Sequence, residues 1–449
     1  MEWTSNIDVN VVLFLFLAFQ FTAEEVEEMK AAWRDGGLEG CRRLLERKRN
    51  EWKEVPLNVA VIGNSGVGKS SFINAIRGLT ADDEGAAEVG ETETTMEILS
   101  YPHPDNPMMM FWDLPGVGSN EFPRSTYLTD VKVDSYDFFL LMDAKRFTEN
   151  DTWLGNEFLK QKKKYLFVRT HIAEDISNNK KAHPKTHNEE AVVEEIRQST
   201  EGHLRKNGCE DVRVFLIDNY EPGKFDFEKL KLQLIKEFPE QKRSALIFSL
   251  LSTSEVMIQL KVAELRSRIW KCAGLSAAAG TIPIPGLSVF IDIGIITHEA
   301  MFYFRQLGLD SESLQRYANL YSVDFVVMQS IISKTLGIRV AGAVTFESMK
   351  SILLILLPRL VPVATATAAE EVARVFIPFI GGLIAAPLSF AGTYLALELI
   401  LDKFQKPALE IMQLIAGRVG MADEFYHLAA GDAELPPNEE NEGAARCVD

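Results

Sequence analysis

The octapeptide Gly63-Asn64-Ser65-Gly66-Val67-Gly68-Lys69-Ser70 follows directly on the apolar run Leu57-Asn58-Val59-Ala60-Val61-Ile62. Together they constrain the fold more than any other stretch of the chain. An apolar strand that ends in G-x-x-x-x-G-K-S and continues into the helix-like Ser71-Phe72-Ile73-Asn74-Ala75-Ile76 is a strand–loop–helix built to hold phosphate. Glycines at both ends let the backbone curl so that successive amide hydrogens point inward as an anion nest. Lys69 is placed to reach the β- and γ-phosphates of a triphosphate and Ser70 to offer its hydroxyl to Mg²⁺. Ser71 opens the helix, whose positive N-terminal end faces the same point. Residues Gly63, Asn64, Ser65, Gly66, Val67, Gly68, Lys69, Ser70 and Ser71 are therefore the expected phosphate-binding segment.

From Val55 to about Pro239, apolar strands alternate with polar helices, the pattern of a parallel sheet covered on both faces. Strands are predicted at Met108–Trp112, Asp137–Met142, Tyr165–Arg169 and Val212–Ile217, all nearly continuous apolar runs suited to burial on two sides. Beyond Lys242 the strand signals fade. Long apolar helical segments follow at Ala245–Trp270, Val289–Leu307, Leu314–Ile332, Ser348–Leu357 and Val375–Leu401. Before the P-loop, Thr22–Glu54 reads as a charged helix with a glycine break at Gly36-Gly37. The expected organisation is a helical segment over 1–54, a P-loop domain over 55–241, a helical domain over 242–430 and an acidic, disordered tail over 431–449.

A net charge of −17 on 449 residues argues against a nucleic-acid partner, because a phosphate backbone asks for a basic face. Four widely spaced cysteines fit a reduced, cytoplasmic compartment rather than a disulfide framework. The apolar run Val11–Phe19 is too short to span a bilayer and has no basic residue before it, so it reads as a packing or interfacial segment rather than a secretory signal.

Asp113-Leu114-Pro115-Gly116 lies at the end of the second predicted strand. A carboxylate there can hold the hydration shell of Mg²⁺, and the Gly116 amide can sense the γ-phosphate. Between the P-loop and this segment, a threonine of Glu91-Thr92-Glu93-Thr94-Thr95 can close over the metal as a switch loop does. The series GNSGVGKSSFINAIRGL, ETTM, YPHP, FWDLPGVGS, YDFFLL and FVRT, in that order, resembles the immunity-related GTPases, the interferon-inducible, dynamin-like GTPases of vertebrates. The resemblance spans about residues 32–405, and the later FIPFIGG stretch is similar to the branch of that family that keeps a lysine P-loop.

What the resemblance implies is an α/β P-loop GTPase domain, a three-layer structure on a parallel sheet, joined to an all-α helical domain formed from both chain ends. It implies GTP and GDP as ligands and Mg²⁺ as cofactor. It also implies self-association through G domains, pairing with other immunity-related GTPases, peripheral attachment to intracellular membranes from the cytoplasm, and a part in innate defence. Position by position, Lys69, Glu93, Thr95 and Gly116 match catalytic residues, and Ser70, Thr95 and Asp113 match the metal-holding residues. No glutamine follows Gly116, so the resemblance assigns the positioning of water to dimerisation.

The element that selects guanine departs from the pattern. A T/N-K-x-D segment is expected after a strand, and the chain has Thr170-His171-Ile172-Ala173. Thr170 and His171 keep their places as nucleotide-binding positions, but the discriminating carboxylate has become Ala173. Losing such a charge-assisted hydrogen bond costs about 1.5–3 kcal/mol, about tenfold to a hundredfold in binding. Glu174 and Asp175 follow at once, and Asp218 and Asn219 occupy the base-contacting loop after the last strand. The sequence leaves these substitutes open beside a second reading, a nucleotide-holding regulator that hydrolyses little and pairs with other GTPases.

Two further patterns read as scaffold. His183 and His187 flank Pro184 in a lysine-rich stretch, which suits a solvated loop rather than a metal site. Val375–Leu397 runs about 23 residues without a charge, long enough to span a bilayer, yet it lacks flanking basic bias or a tryptophan belt. A helix pair buried in a bundle is the expectation there.

Overall fold

A computed structural model describes residues 23–90, 98–118, 122–209, 213–280, 287–337, 344–365 and 385–419. Six strands form one sheet: β1 (Leu57–Ile62), β2 (Leu99–His103), β3 (Asn106–Leu114), β4 (Phe138–Asp143), β5 (Tyr165–Arg169) and β6 (Val214–Leu216). Their order is β2-β3-β1-β4-β5-β6, with β1 held between β3 and β4. The five strands expected from sequence are parallel to one another. To the expected parallel sheet the structure adds one strand not predicted from sequence, β2, which pairs antiparallel with β3 at one edge. Its sequence, Leu-Ser-Tyr-Pro-His, hides it: Pro102 has no amide hydrogen to give a ladder and is tolerated only at an edge.

Around the sheet lie α1 (Ala23–Asn50), α2 (Lys69–Ile76), α3 (Tyr127–Asp130), α4 (Glu149–Lys160), α5 (Ile172–Ala182), α6 (Glu189–Lys206) and α7 (Phe227–Glu237). Then come α8 (Glu240–Ser249), α9 (Glu255–Gly280), α10 (Leu287–Gln306), α11 (Ser311–Tyr321), α12 (Phe325–Leu336), α13 (Phe346–Thr365) and α14 (Ala385–Val419). The alternation of strand side chains sorts the core into two layers. Ala60, Ile62, Phe139 and Leu141 pack with Phe158 and Leu204 on one face of the sheet. Val59, Val61, Phe138 and Leu140 pack on the other, and that core runs without a break through Phe238 and Phe248 into Leu265, Phe304 and Phe404 of the helical bundle.

The first and last of the described helices both join the bundle. α1 packs on α9, which in turn packs along α14. Trp52, just after α1, is buried against the rings of Phe248 and Phe302 at 5.2 and 5.7 Å.

Three helix expectations need correction. α1 continues through Gly36-Gly37, where a break was expected, because two glycines weaken a helix by only about 1 kcal/mol each. The Ala245–Trp270 segment is two helices, parted at residues 250–254. Leu314–Ile332 is likewise two, because Ser322 takes a left-handed conformation (φ 54°) and the Asp324 side chain caps the next helix by accepting from the Val326 and Val327 amides. Among the described residues no helix is long and apolar enough to cross a membrane. Residues 375–384 of the long charge-free run, the apolar run 11–19 and the acidic tail 431–449 lie outside the described residues.

Candidate nucleotide site

β1 delivers residue 62 to the C-terminal edge of the sheet, and the chain then curls through residues 63–68 into α2. Gly66 and Gly68 both adopt left-handed conformations, φ 78° and 83°, which a side chain would resist. A Cβ on Gly66 would meet nothing within 4 Å, so the backbone there is free of close neighbours. A Cβ on Gly63, by contrast, would strike the Met142 carbonyl of β4. The loop thus sits hard against the sheet at its start and opens before α2.

Lys69 is buried, 5% exposed, with its ammonium 3.4 Å from the Asn64 carbonyl and 3.7 Å from Asp113 Oδ1. Burial pulls this ammonium below the ordinary lysine range, and the charge of Asp113 opposes the shift. Ser70 Oγ donates to Asp113 Oδ2 at 3.0 Å. β1 and β3 are paired in register, Ile62 opposite Leu114, which is why Lys69, Ser70 and Asp113 meet although 43 residues separate the last two. A hydroxyl and a carboxylate at this separation suit a hydrated divalent cation lying beside phosphate oxygens. Among the described residues no cluster of three His, Cys, Asp or Glu side chains competes as a metal site.

The Asp113–Gly116 segment touches the opposite end of the loop. A Cβ built on Gly116 would stand 2.5 Å from Asn64 Oδ1 and 3.0 Å from Asn64 Cα, so only glycine permits this approach. Three contacts that the sequence did not reveal hold the segment in place. Tyr127 donates from its buried hydroxyl to the Pro115 carbonyl at 2.7 Å, Asn150 donates to the Val117 carbonyl at 3.0 Å, and the Gly118 amide donates to the Phe122 carbonyl at 2.9 Å. Val117, which follows Gly116, turns into the core with 5% exposure and cannot position water.

At the Gly68 end stand the loops after β5 and β6. Thr170 Oγ1 donates to the Val67 carbonyl at 2.8 Å, and Asn219 Nδ2 donates to the Gly68 carbonyl at 2.9 Å. His171 takes a left-handed conformation, φ 60°, at the start of α5, and its Nε2 lies 3.5 Å from the place a Cβ on Gly68 would occupy. Asp218 is buried beside them. Of the two carboxylates after Ala173, Asp175 pairs with Arg169 at 2.6 Å and Glu174 is exposed. The structure thus gathers Gly63–Ser71, Asp113, Gly116, Thr170, His171, Asp218 and Asn219 around one cradle. Glu93 and Thr95 lie outside the described residues.

α2 also anchors the stretch before residues 91–97. Asn74 and Ala87 exchange two hydrogen bonds, 2.6 and 2.8 Å, and the Arg77 guanidinium donates to the Gly85 and Pro102 carbonyls. Sequence offered no signal for either residue, since Asn74 sits on an ordinary helix and Arg77 directly follows it. The His183/His187 pair lies in the turn between α5 and α6. Lys163 pairs with Asp134, and His187 Nδ1 meets Asn179 Oδ1 at 2.9 Å.

The family model described as interferon-inducible GTPase (IIGP) matches residues 22–336. Over 425 residues the chain is 33% identical to interferon-inducible GTPase 5 of Rattus norvegicus, covering 94% of this chain and 89% of that protein. It is 36% identical to interferon-inducible GTPase 1 of Mus musculus over 301 residues, 67% of this chain and 72% of the other. Among solved structures, the chain is similar at 12% identity and a TM-score of 0.29 to a bacterial dynamin pair described as oligomerised and membrane-tethering, over 94% of this chain and 82% of that one.

Proposed function

Because the chain belongs to the interferon-inducible GTPase family, we propose that it binds GTP in the cradle between β1 and α2 and hydrolyses it. The observation that carries this reading is the convergence of Lys69, Ser70 and Asp113 on the mouth of an open, glycine-curled loop. In this reading the amides of residues 65–70 and the Lys69 ammonium grip the β- and γ-phosphates. Ser70 and Asp113 hold Mg²⁺, with Thr95 closing over it, and the cation supplies charge neutralisation on the phosphate oxygens. Gly116 presents its amide to the γ-phosphate end, and Glu93 assists hydrolysis. Thr170 and His171 support the base from one side, and Asp218 and Asn219 from the other. Catalysis of this kind is positioning and electrostatic stabilisation rather than covalent chemistry.

The residue after Gly116 is a buried valine rather than a glutamine, so that position offers no side chain to orient the attacking water, which supports slow hydrolysis alone and faster hydrolysis when two G domains meet. The proposal extends to a homo-oligomer, or pairs with other immunity-related GTPases, acting from the cytoplasm at the periphery of intracellular membranes in innate defence. That extension rests on the family resemblance. Exposed apolar side chains on α12 (Val326, Val327) and on α13 (Leu354, Ile355) support peripheral lipid contact by the helical region.

The test is phosphate release from GTP against protein concentration, with Lys69→Ala alongside. A rise in specific activity with concentration, abolished by Lys69→Ala, supports the proposal. Nucleotide retention unaffected by Lys69→Ala overturns it. A second reading, a nucleotide-holding regulator with little hydrolysis, is favoured by the missing carboxylate at Ala173, and it expects GTP-dependent pairing with no phosphate release at any concentration.

A further inference from the structure

The base-recognition end of the cradle lacks a carboxylate at residue 173, and the neighbouring loop brings one to the same place. Asp218 follows β6 and is 7% exposed. Its Oδ2 accepts from the Ala173 amide at 3.3 Å and its Oδ1 from the Tyr220 amide at 3.0 Å. These two bonds fix the carboxylate against the first turn of α5, where the His171 side chain makes no capping bond of its own. Each oxygen spends one lone pair on a backbone amide and keeps a second for a ligand.

Asn219 adds a second acceptor. The residue is 6% exposed, and its Nδ2 donates to the Gly68 carbonyl at 2.9 Å, which sets the orientation of the amide. Oδ1 is the remaining atom of that amide, and it is buried with no hydrogen-bond partner among the described residues. Two consecutive residues therefore offer acceptors beside the rim of the phosphate cradle at Gly68, against which His171 also stands. Of the other carboxylates in reach by sequence, Asp175 is paired with Arg169 and Glu174 is exposed, whereas Asp218 is buried and held by two backbone amides.

We propose that Asp218 is the specificity-determining carboxylate of this chain, selecting a purine whose Watson–Crick edge carries two adjacent donors. The inference rests on the nucleotide-binding reading above. Guanine presents N1–H and the 2-amino group, which suit a carboxylate. Adenine presents a lone pair at N1 and no amino group at C2, so acceptor would face acceptor in a site that excludes water. The loss at Ala173 is then a relocation of the carboxylate from one loop to the next, with guanine preference retained.

Equilibrium binding of GTP, ATP, ITP and XTP to the full chain, wild type and Asp218→Asn, tests the assignment. The exchange keeps the size of the side chain and one carbonyl acceptor, while turning the other oxygen into a donor that complements the 2-oxo group of xanthine. The wild type is expected to favour GTP over ATP and over ITP, which lacks the 2-amino group. D218N is expected to lose GTP affinity by about tenfold to a hundredfold and to bind XTP more tightly than the wild type does. Thermal unfolding checks that D218N is folded. If it is not, Asp218→Ser keeps an acceptor for the two amides and is expected to erase the GTP-over-ATP preference without gaining XTP. Unchanged base preference in the folded variant, or equal binding of GTP and ATP by the wild type, overturns the role of Asp218 while leaving triphosphate binding intact. A wild type that retains no triphosphate overturns this inference together with the function on which it rests.

Discussion

Thr170 Oγ1 donates to the Val67 carbonyl at 2.8 Å in a fully buried hydrogen bond, and this bond ties the loop after β5 to the middle of the P-loop. The same hydroxyl lies 3.3 Å from the Asp143 carbonyl at the end of β4. One side chain thus links the loop after β1, the end of β4 and the loop after β5, three neighbouring strands.

Thr170→Val keeps the shape and removes the donor, leaving the Val67 carbonyl buried without it. The expected cost is about 1–3 kcal/mol of stability, read as a shift in the denaturation midpoint. Affinity for triphosphate is expected to fall for GTP and ATP in equal proportion, since the change loosens the phosphate cradle rather than the base contact. A variant with unchanged midpoint and unchanged affinity would show that the bond is incidental.

At Gly116 the argument is one of space. A methyl there would meet the Asn64 side chain at 2.5 Å, which can turn aside, but also Asn64 Cα and N at 3.0 and 3.1 Å, which cannot. Gly116→Ala is expected to hold the Asp113–Gly116 segment away from the γ-phosphate end. Nucleotide binding should stay within a few-fold, while hydrolysis drops by about 10² or more, the scale for losing one preorganised amide donor. Single-turnover phosphate release separates the two, and equal losses in both would contradict the role.

Much of the fold was legible because its determinants are local and periodic. The P-loop, the five parallel strands and the helical second half each announce themselves in runs of residues that match one element. What stayed hidden depends on partners distant in sequence. β2 carries a proline and little apolar content, and becomes a strand only because β3 offers it an edge. Tyr127 and Asn150 shape the site through backbone carbonyls of residues 115 and 117, which no motif encodes. That Asp175 is taken up by Arg169 likewise needed coordinates, because the pairing brings together a strand end and a helix.

Between the sheet and the bundle, Lys231 and Glu228 form a buried ion pair one helical turn apart on α7, and both reach Thr253 in the break between α8 and α9. Side-chain exposures of 4% and 2% leave neither charge any water to fall back on. Lys231→Met strands Glu228 and is expected to destabilise by about 3–5 kcal/mol. The double change with Glu228→Leu should recover most of that loss, because a matched apolar pair carries no desolvation penalty. Urea denaturation of the two singles and the double closes the cycle, and additive effects would refute the coupling.

Lys261 of α9 supplies the pH dependence. It is 4% exposed, and burial is the main cause that lowers its pKa from 10.5 to about 7. Asp105 and Asp310 pull the value back up, and Lys231 and Arg316 press it further down. Since the folded pKa lies below the unfolded one, the unfolded chain binds an extra proton between about pH 7 and 10.5, and stability contributed by this site rises with pH across that window. Below pH 7 the ammonium is charged in both states, and the full cost of burying it is present. Lys261→Met removes that cost. It is expected to raise the unfolding temperature most at pH 6, with a gain in stability of a few kcal/mol at about 1.36 kcal/mol per pH unit. The gain should shrink steadily toward pH 10, where the wild-type amine is neutral when folded. A gain that is constant from pH 6 to 10, or that grows with pH, would show that Lys261 keeps its charge in the folded protein through that range.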